Sequence, residues 1–282
     1  MLKFFLILAL SIYLHAMEVS LKDSKIANGR CFLLKSNETD FSKHYVAFEG
    51  KRYSFFPSKR DPAFAYYAIV PVDYYTKPKL TKLVAVVWRG EQKQYKSFKV
   101  NIIDGRYKSE RLRVAPSKAK LSKKNKIRIA RESKIAKKIY NITNPECYWD
   151  KVFKYPMDSK ITSAFGNKRI FNGTLKSYHS GTDFRAKVGV PLYSVNSGKV
   201  VLVENRFFAG GSVIIDHGEG IYTCYYHMSK FSVKVGDMVG KGEKLGLAGA
   251  TGRVTGPHLH FSTRVGGVQV DPLQLLELLN EI

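Results

Sequence analysis

The hexapeptide Gly256-Pro257-His258-Leu259-His260-Phe261 holds two of the seven histidines, one on each side of a leucine. Gly-Pro marks a turn and Leu-His-Phe is strand-like. With Leu259 on a strand, His258 and His260 project to one face, because strand side chains repeat every two residues. Two imidazoles side by side suit a metal ligand next to a proton-transfer group. An HxH pair is common in ordinary strands, so this one needs partners.

Two further stretches supply them. His179-Ser180-Gly181-Thr182-Asp183 places an imidazole and a carboxylate four apart, and Gly181 argues for a loop or strand start over a helix. Tyr225-Tyr226-His227-Met228 ends a strand-like aromatic run with another histidine. His179, Asp183 and one of the paired histidines make a two-nitrogen, one-oxygen set. Such a set suits Zn²⁺, which in catalytic sites takes three protein ligands and keeps a position open. The remaining histidines would then handle protons and developing charge. Spacing alone leaves open which of His258 and His260 binds metal.

The C-terminal half is punctuated by glycine: 18 of the 22 glycines follow residue 150. Short strands broken by Gly turns are expected there, as at Gly218-Glu219-Gly220, Gly240-Lys241-Gly242 and Gly266-Gly267. Asp271-Pro272 reads as the capped start of a closing helix that serves packing. His217, before a hairpin turn, reads as structural. Asn167 and Arg169 are candidates for a groove wall.

In order along the chain, these motifs resemble the M23 family of zinc metallopeptidases, the lysostaphin and LytM type. The resemblance runs from about Ser163 to Pro272. It rests on Ser163-Ala164-Phe165-Gly166 with Arg169, His179-Ser180-Gly181-Thr182-Asp183-Phe184, Gly189-Val190-Pro191, Ser197-Gly198-Lys199-Val200, Tyr225-Tyr226-His227-Met228, Gly236-Asp237-Met238-Val239 and Thr255-Gly256-Pro257-His258-Leu259-His260-Phe261. It implies that His179, Asp183 and His260 ligate one Zn²⁺ per chain. It further implies that His258 is the base and that His227 stabilises the oxyanion. The implied activity is hydrolysis of peptidoglycan cross-links, as a D,D-endopeptidase with D,D-carboxypeptidase trimming, in wall remodelling, cell shape or separation. The expected partners are peptidoglycan stem peptides. Met228 stands where the family often has Leu. A non-enzymatic wall-binding module or activator of another hydrolase is the alternative, but degenerate members of that kind generally lack the metal ligands. A precursor whose N-terminal part covers the groove is a further alternative.

The rest of the chain reads differently. Residues 17–115 alternate strand-like runs, such as Tyr45-Val46-Ala47-Phe48 and Lys82-Leu83-Val84-Ala85-Val86-Val87-Trp88, with turn formers, which suggests a small β-sandwich. Pro71 is expected at a sheet edge or just past a strand end. His44 stands alone and reads as a surface histidine. Residues 117–138 hold ten Lys or Arg against Glu132 alone. Ile127, Ala130, Ile135 and Ile139 recur near helical spacing, so a solvated amphipathic connector helix is expected. The expected organisation is therefore mainly β: a leader over 1–16, an N-terminal β-sandwich-like domain over 17–115, a basic helical linker over 116–154, and an antiparallel β-sheet peptidase domain over 155–282.

Across all 282 residues, 47 Lys and Arg against 23 Asp and Glu give a net charge of +24. The chain should therefore seek an anionic polymer or surface. Lys3 followed by the apolar run Phe4–Leu14 and His15-Ala16 reads as a secretory signal cleaved after Ala16, too short for the ~20 residues of a bilayer span. Export makes nucleic acid an unsuitable partner and leaves no integral membrane span. A periplasmic location is expected, with the cell wall exterior as alternative. Cys31, Cys147 and Cys224 have no CxxC spacing. They allow at most one internal disulfide, for which Cys31 with Cys147 is a candidate.

Overall fold

A computed structural model describes residues 17–38, 43–113, 121–173 and 175–282. The expected leader, residues 1–16, and the start of the basic run, residues 117–120, lie outside the described residues. Strand Cys31–Ser36 organises the N-terminal part. It is the second strand of a four-stranded sheet ordered 19–21, 31–36, 66–71, 56–57. A second sheet runs 25–27, 92–103, 79–89, 45–48, 51–54. Phe32, Leu34, Ala68 and Val70 on the first sheet meet Val46, Leu83, Ala85, Val87 and Val100 on the second in one core. Two sheets packed face to face form the expected sandwich.

The other face of the first sheet is also covered. Cys31, Leu33, Tyr67 and Ile69 alternate with the residues above, and they enter a core with Phe184, Val213, Ile215, Tyr225 and Phe261 of the C-terminal half. The first sheet thus serves two cores at once. That explains the unbroken apolar run Cys31-Phe32-Leu33-Leu34, since a strand buried on both faces has no reason to alternate. Tyr67 Oη donates a hydrogen bond to Glu219 across this junction. Burial raises the Glu219 carboxyl to about 7 despite that bond. Pro71 is the last residue of its strand. The short strand 56–57 reaches only Tyr66 and Tyr67, so the missing N–H faces no neighbour there.

The C-terminal half is built on an eight-stranded antiparallel sheet, ordered 161–163, 182–185, 258–265, 221–228, 210–216, 198–206, 238–239, with 268–270 added to 258–265. One face packs on the shared core. Helix α1 (Lys123–Tyr140) covers part of the other, where Ala136 and Tyr140 meet Leu202, Ile214, Tyr222 and Cys224. Ser122 caps its N-terminus by accepting from Asn125 N at 3.2 Å. The helix is present, but its inward face differs from the expected one. Ile127, Ala130 and Ile135 are exposed, while Glu132, Ala136 and Tyr140 are buried. The reason is polar: both Glu132 carboxylate oxygens accept from Phe207 N, at 3.1 and 2.9 Å, so the acid turns inward and carries its face of the helix with it. No helix among the described residues is long and apolar enough to cross a membrane.

Helix α2 (Pro272–Leu279) starts as expected, with Asp271 accepting from Leu273 N and Pro272 in the first turn. Its leucines fill the shared core. Gln274 accepts from Cys31 N and donates to Cys31 O, at 3.0 and 2.9 Å, which ties the end of the chain to the N-terminal sheet. A three-stranded sheet adds a second tie: strand 109–112 pairs in parallel with 168–171.

Three smaller expectations resolve here. His44 is buried, not on the surface, with Nε2 3.2 Å from Trp88 O. Cys31, Cys147 and Cys224 are free thiols, two of them buried. His217 is structural: it is buried, with Nδ1 2.7 Å from Ser197 O and Nε2 2.8 Å from Thr223 Oγ1.

Leu33→Ala removes a side chain from the core common to both halves. It should lower stability by about 2–5 kcal/mol, and urea unfolding followed by fluorescence should still show one transition. Two separate transitions would show that the halves do not share their stability. Burial lowers the His217 pKa from 6.5 to about 4. The unfolded chain therefore binds a proton more readily below 6.5, and stability falls as pH drops from 6.5 towards 4. Between pH 7 and 5 this histidine should cost about 2 kcal/mol, seen as a lower urea midpoint at pH 5.

Candidate metal centre

The site is assembled by strand register. Strands 182–185 and 258–265 are antiparallel neighbours, with Asp183 opposite His260 and Arg185 opposite His258. Phe184, Leu259 and Phe261 point into the shared core, so Asp183, His258 and His260 share the opposite face. His179 arrives from the turn after strand 175–178. His179 Nε2 lies 2.8 Å from Asp183 Oδ1 and 2.9 Å from His260 Nδ1, and His260 Nδ1 lies 2.7 Å from Asp183 Oδ1. All three side chains are buried. Gly181 makes the approach possible: a Cβ there would sit 2.3 Å from Phe261 O and 2.8 Å from His260 Nε2.

The donor set fits a divalent metal. His179 Nδ1 is 2.7 Å from Ala164 O, a group that can only accept, so the ring proton sits on Nδ1 and Nε2 offers its lone pair inward. Burial works against the Asp183 carboxylate, but the two imidazoles beside it outweigh that and hold it well below the usual carboxylate range. Burial lowers His260 to about 4, so this imidazole is neutral over the physiological range. Two imidazoles and an ionised carboxylate converging on one point are the ligand types and number of an open zinc site. Arg169 donates to the second carboxylate oxygen, Asp183 Oδ2, at 2.7 Å, leaving Oδ1 for the centre.

His258 and His227 flank these three candidate ligands. His258 Nδ1 is 2.8 Å from Gly256 O, and its Nε2 is 3.6 Å from Asp183 Oδ1. His227 Nδ1 is 2.8 Å from Thr251 O. Each therefore keeps its proton on Nδ1 and presents Nε2 as an acceptor. Their ring centroids are 4.8 Å apart. Burial, then the nearby His260 and His258, push His227 well below its ordinary pKa. His227 adopts a left-handed backbone, φ 63°, at an irregularity in the pairing of strands 210–216 and 221–228. Such a conformation is costly for a residue with a Cβ, and it is held here by His227 N donating to Ala209 O at 2.9 Å. Tyr226 stacks on His260 with centroids 5.6 Å apart.

The structure thus brings together all five residues singled out in the sequence: His179, Asp183, His227, His258 and His260. It also places two that were not. Glu110, from strand 109–112, accepts from Ser163 Oγ, Asn167 Nδ2 and Arg169 Nε at 2.8, 2.6 and 3.3 Å. Ser163 Oγ is in turn 2.9 Å from His179 Nδ1. Asn167 and Arg169 are therefore supports of the centre and not merely groove wall. Glu110 had a weak signal, as the one acid in the basic stretch Arg106–Arg113. Arg253 lines the cleft beside His227. Its signal was adjacency to the His258 motif.

Comparison with known proteins accords with this geometry. Residues 177–272 match the family model described as Peptidase family M23. The Vibrio cholerae peptidoglycan DD-endopeptidase ShyA is 44% identical over 124 residues, covering 43% of this chain and 29% of that protein. The Neisseria meningitidis DD-carboxypeptidase/endopeptidase Mpg is 35% identical over 119 residues, covering 42% of this chain and 27% of that protein. The chain thus spans less than a third of the length of these curated relatives. A crystal structure from Pseudomonas aeruginosa described as a peptidase M23 superposes with a TM-score of 0.68 at 27% identity, over 89% of this chain and 94% of that one. Through the stretch in which two imidazoles and a carboxylate converge, residues 177–272, the chain carries a domain of peptidase family M23.

Proposed function

We propose that this protein is a zinc-dependent peptidoglycan hydrolase that cuts the peptide cross-links of the cell wall as a D,D-endopeptidase and trims stem peptides as a D,D-carboxypeptidase. The observation that carries the reading is the triangle of His179 Nε2, Asp183 Oδ1 and His260 Nδ1 beside two acceptor imidazoles. The names of the Vibrio and Neisseria relatives support the substrate class. The leader-like first sixteen residues and the charge of +24 support export to the periplasm and attraction to a carboxylate-rich wall.

His179, Asp183 and His260 would hold the zinc. A zinc ion in such a site would polarise a carbonyl and lower the pKa of water to about 7. The chain's own groups do the rest. Arg169 and Glu110 fix the carboxylate and the His179 side of the site. His258 Nε2 accepts the proton of the attacking water. A neutral His227 has no proton to offer at Nε2, so it can stabilise the oxyanion only as a donor in its protonated form. His258 then returns the proton taken from the water to the leaving amine. Burial, then the nearby His260 and His258, hold His227 well below its ordinary pKa, so it enters the reaction neutral.

Digestion of purified sacculi, with muropeptides resolved by mass, tests the reading. Zinc-loaded protein should remove cross-linked dimers, and chelated protein should not. His258→Ala should keep one zinc per chain but cut roughly 10²–10⁴-fold more slowly. His260→Ala should lose the metal itself, measured by elemental analysis. Unchanged dimers with zinc-loaded wild type would overturn the hydrolase reading.

A further inference from the structure

Two arginines face the cleft, but its carboxylates serve only one of them. Arg169 donates to Asp183 Oδ2 at 2.7 Å and to Glu110 Oε2 at 3.3 Å. Arg253 has neither. Its guanidinium carbon lies 4.2 Å from the ring centroid of Phe171 and 4.2 Å from that of Phe208. Its backbone N–H donates to Phe208 O at 2.8 Å. Among the described residues, no carboxylate or carbonyl accepts from the guanidinium. Burial, and then the charge of Arg169, lower its pKa to about 10, which leaves it fully charged at neutral pH. It lines two cavities, of about 170 and about 300 Å³. His260 lines the first, Asp183 and His258 the second, and His227 both.

A guanidinium packed over two rings has given up much of its rotamer freedom before any ligand arrives. Its N–H groups meet no carboxylate or carbonyl acceptor among the described residues, and their planar fork matches a carboxylate bidentately. Two cations close together, one of them without a counterion, make the cleft a site for an added anion. Pre-ordering of this kind favours binding because less freedom is lost on association.

We propose that Arg253 is a specificity-determining residue that binds the substrate carboxylate adjoining the scissile amide. The inference rests on the peptidoglycan reading above and narrows its substrate. A D,D bond joins two D-centres. The centre that supplies the amine carries a free carboxylate in both settings, whether it is a terminal D-amino acid or the D-centre of a cross-linking diamino acid. One arginine therefore serves both the endopeptidase and the carboxypeptidase cut. It also disfavours an internal bond of an ordinary protein, where the same carboxyl is an amide.

The test uses a matched pair of synthetic cross-linked peptide dimers, in which the carboxyl at the acceptor D-centre is either free or converted to a carboxamide. Cleavage by zinc-loaded protein and binding to chelated protein are both measured. Wild type should prefer the free acid by roughly 10–100-fold in kcat/KM, as for a charge-assisted hydrogen-bonded pair. In Arg253→Gln the ratio should collapse to about one, and Arg253→Lys should fall between, because an ammonium is a point charge and not a fork. Phe208→Leu, which keeps the arginine but removes one side of its clamp, should lower the ratio roughly threefold. It serves as the deciding variant if Arg253→Gln does not fold. Equal cleavage of both dimers by wild type, or an unchanged ratio in the variants, overturns the inference and leaves the hydrolase reading standing. Preferential binding of the free acid without cleavage supports the inference and overturns the hydrolase reading. Neither cleavage nor preferential binding overturns both.

Discussion

The cross-strand pairing of Asp183 with His260 is the constraint on which the rest depends. It fixes the register of two strands whose alternate residues, Phe184, Leu259 and Phe261, are locked into the core. A slip of one residue would send the carboxylate and the imidazoles inward and the apolar residues outward. Core packing and site geometry are thus two readings of one register. Asp183, His258 and His260 need no separate device to find one another once that register is set.

What the register brings together, a polar frame around it holds. Arg169 spans Asp183 and Glu110, Glu110 reaches Ser163, and Ser163 contacts His179. On the other side, Glu132 of helix α1 holds Phe207, and two residues on Ala209 accepts from the strained His227. The buried acid in the basic helix and the lone acid in the basic strand therefore have parallel tasks. Each secures one flank of the cleft from a segment that contributes no ligand. Partners of this kind orient ligands and tune a metal as much as the ligands themselves do.

The candidate site residues were legible because their motifs are local: a strand pair such as His258–His260 states its shared face in its own spacing. The sandwich was legible from alternating strands and turn formers. The assignment of His260 over His258 was not, since both project to one face and only the pairing with Asp183 separates them. The role of Glu110 was not legible beyond its being a lone acid in a basic stretch, because its partners lie more than fifty residues away in a parallel pairing that no local pattern encodes. The helix face was misjudged because periodicity counts apolar residues, whereas a single buried carboxylate with two backbone hydrogen-bond contacts outweighed two isoleucines. His44 was misplaced for a similar reason: a lone histidine shows nothing of the carbonyl waiting for it.

Strand Cys31–Ser36 carries one more implication. Its even positions belong to the sandwich and its odd positions to the peptidase half. In the lineage of this protein, neighbouring codons of that strand answer to different partners. Changes at 32 and 34 should be matched by compensating changes within the sandwich, and changes at 31 and 33 by changes across the junction. The two halves are then inherited as a unit, since a recombination that exchanged either would leave half of one strand facing strangers.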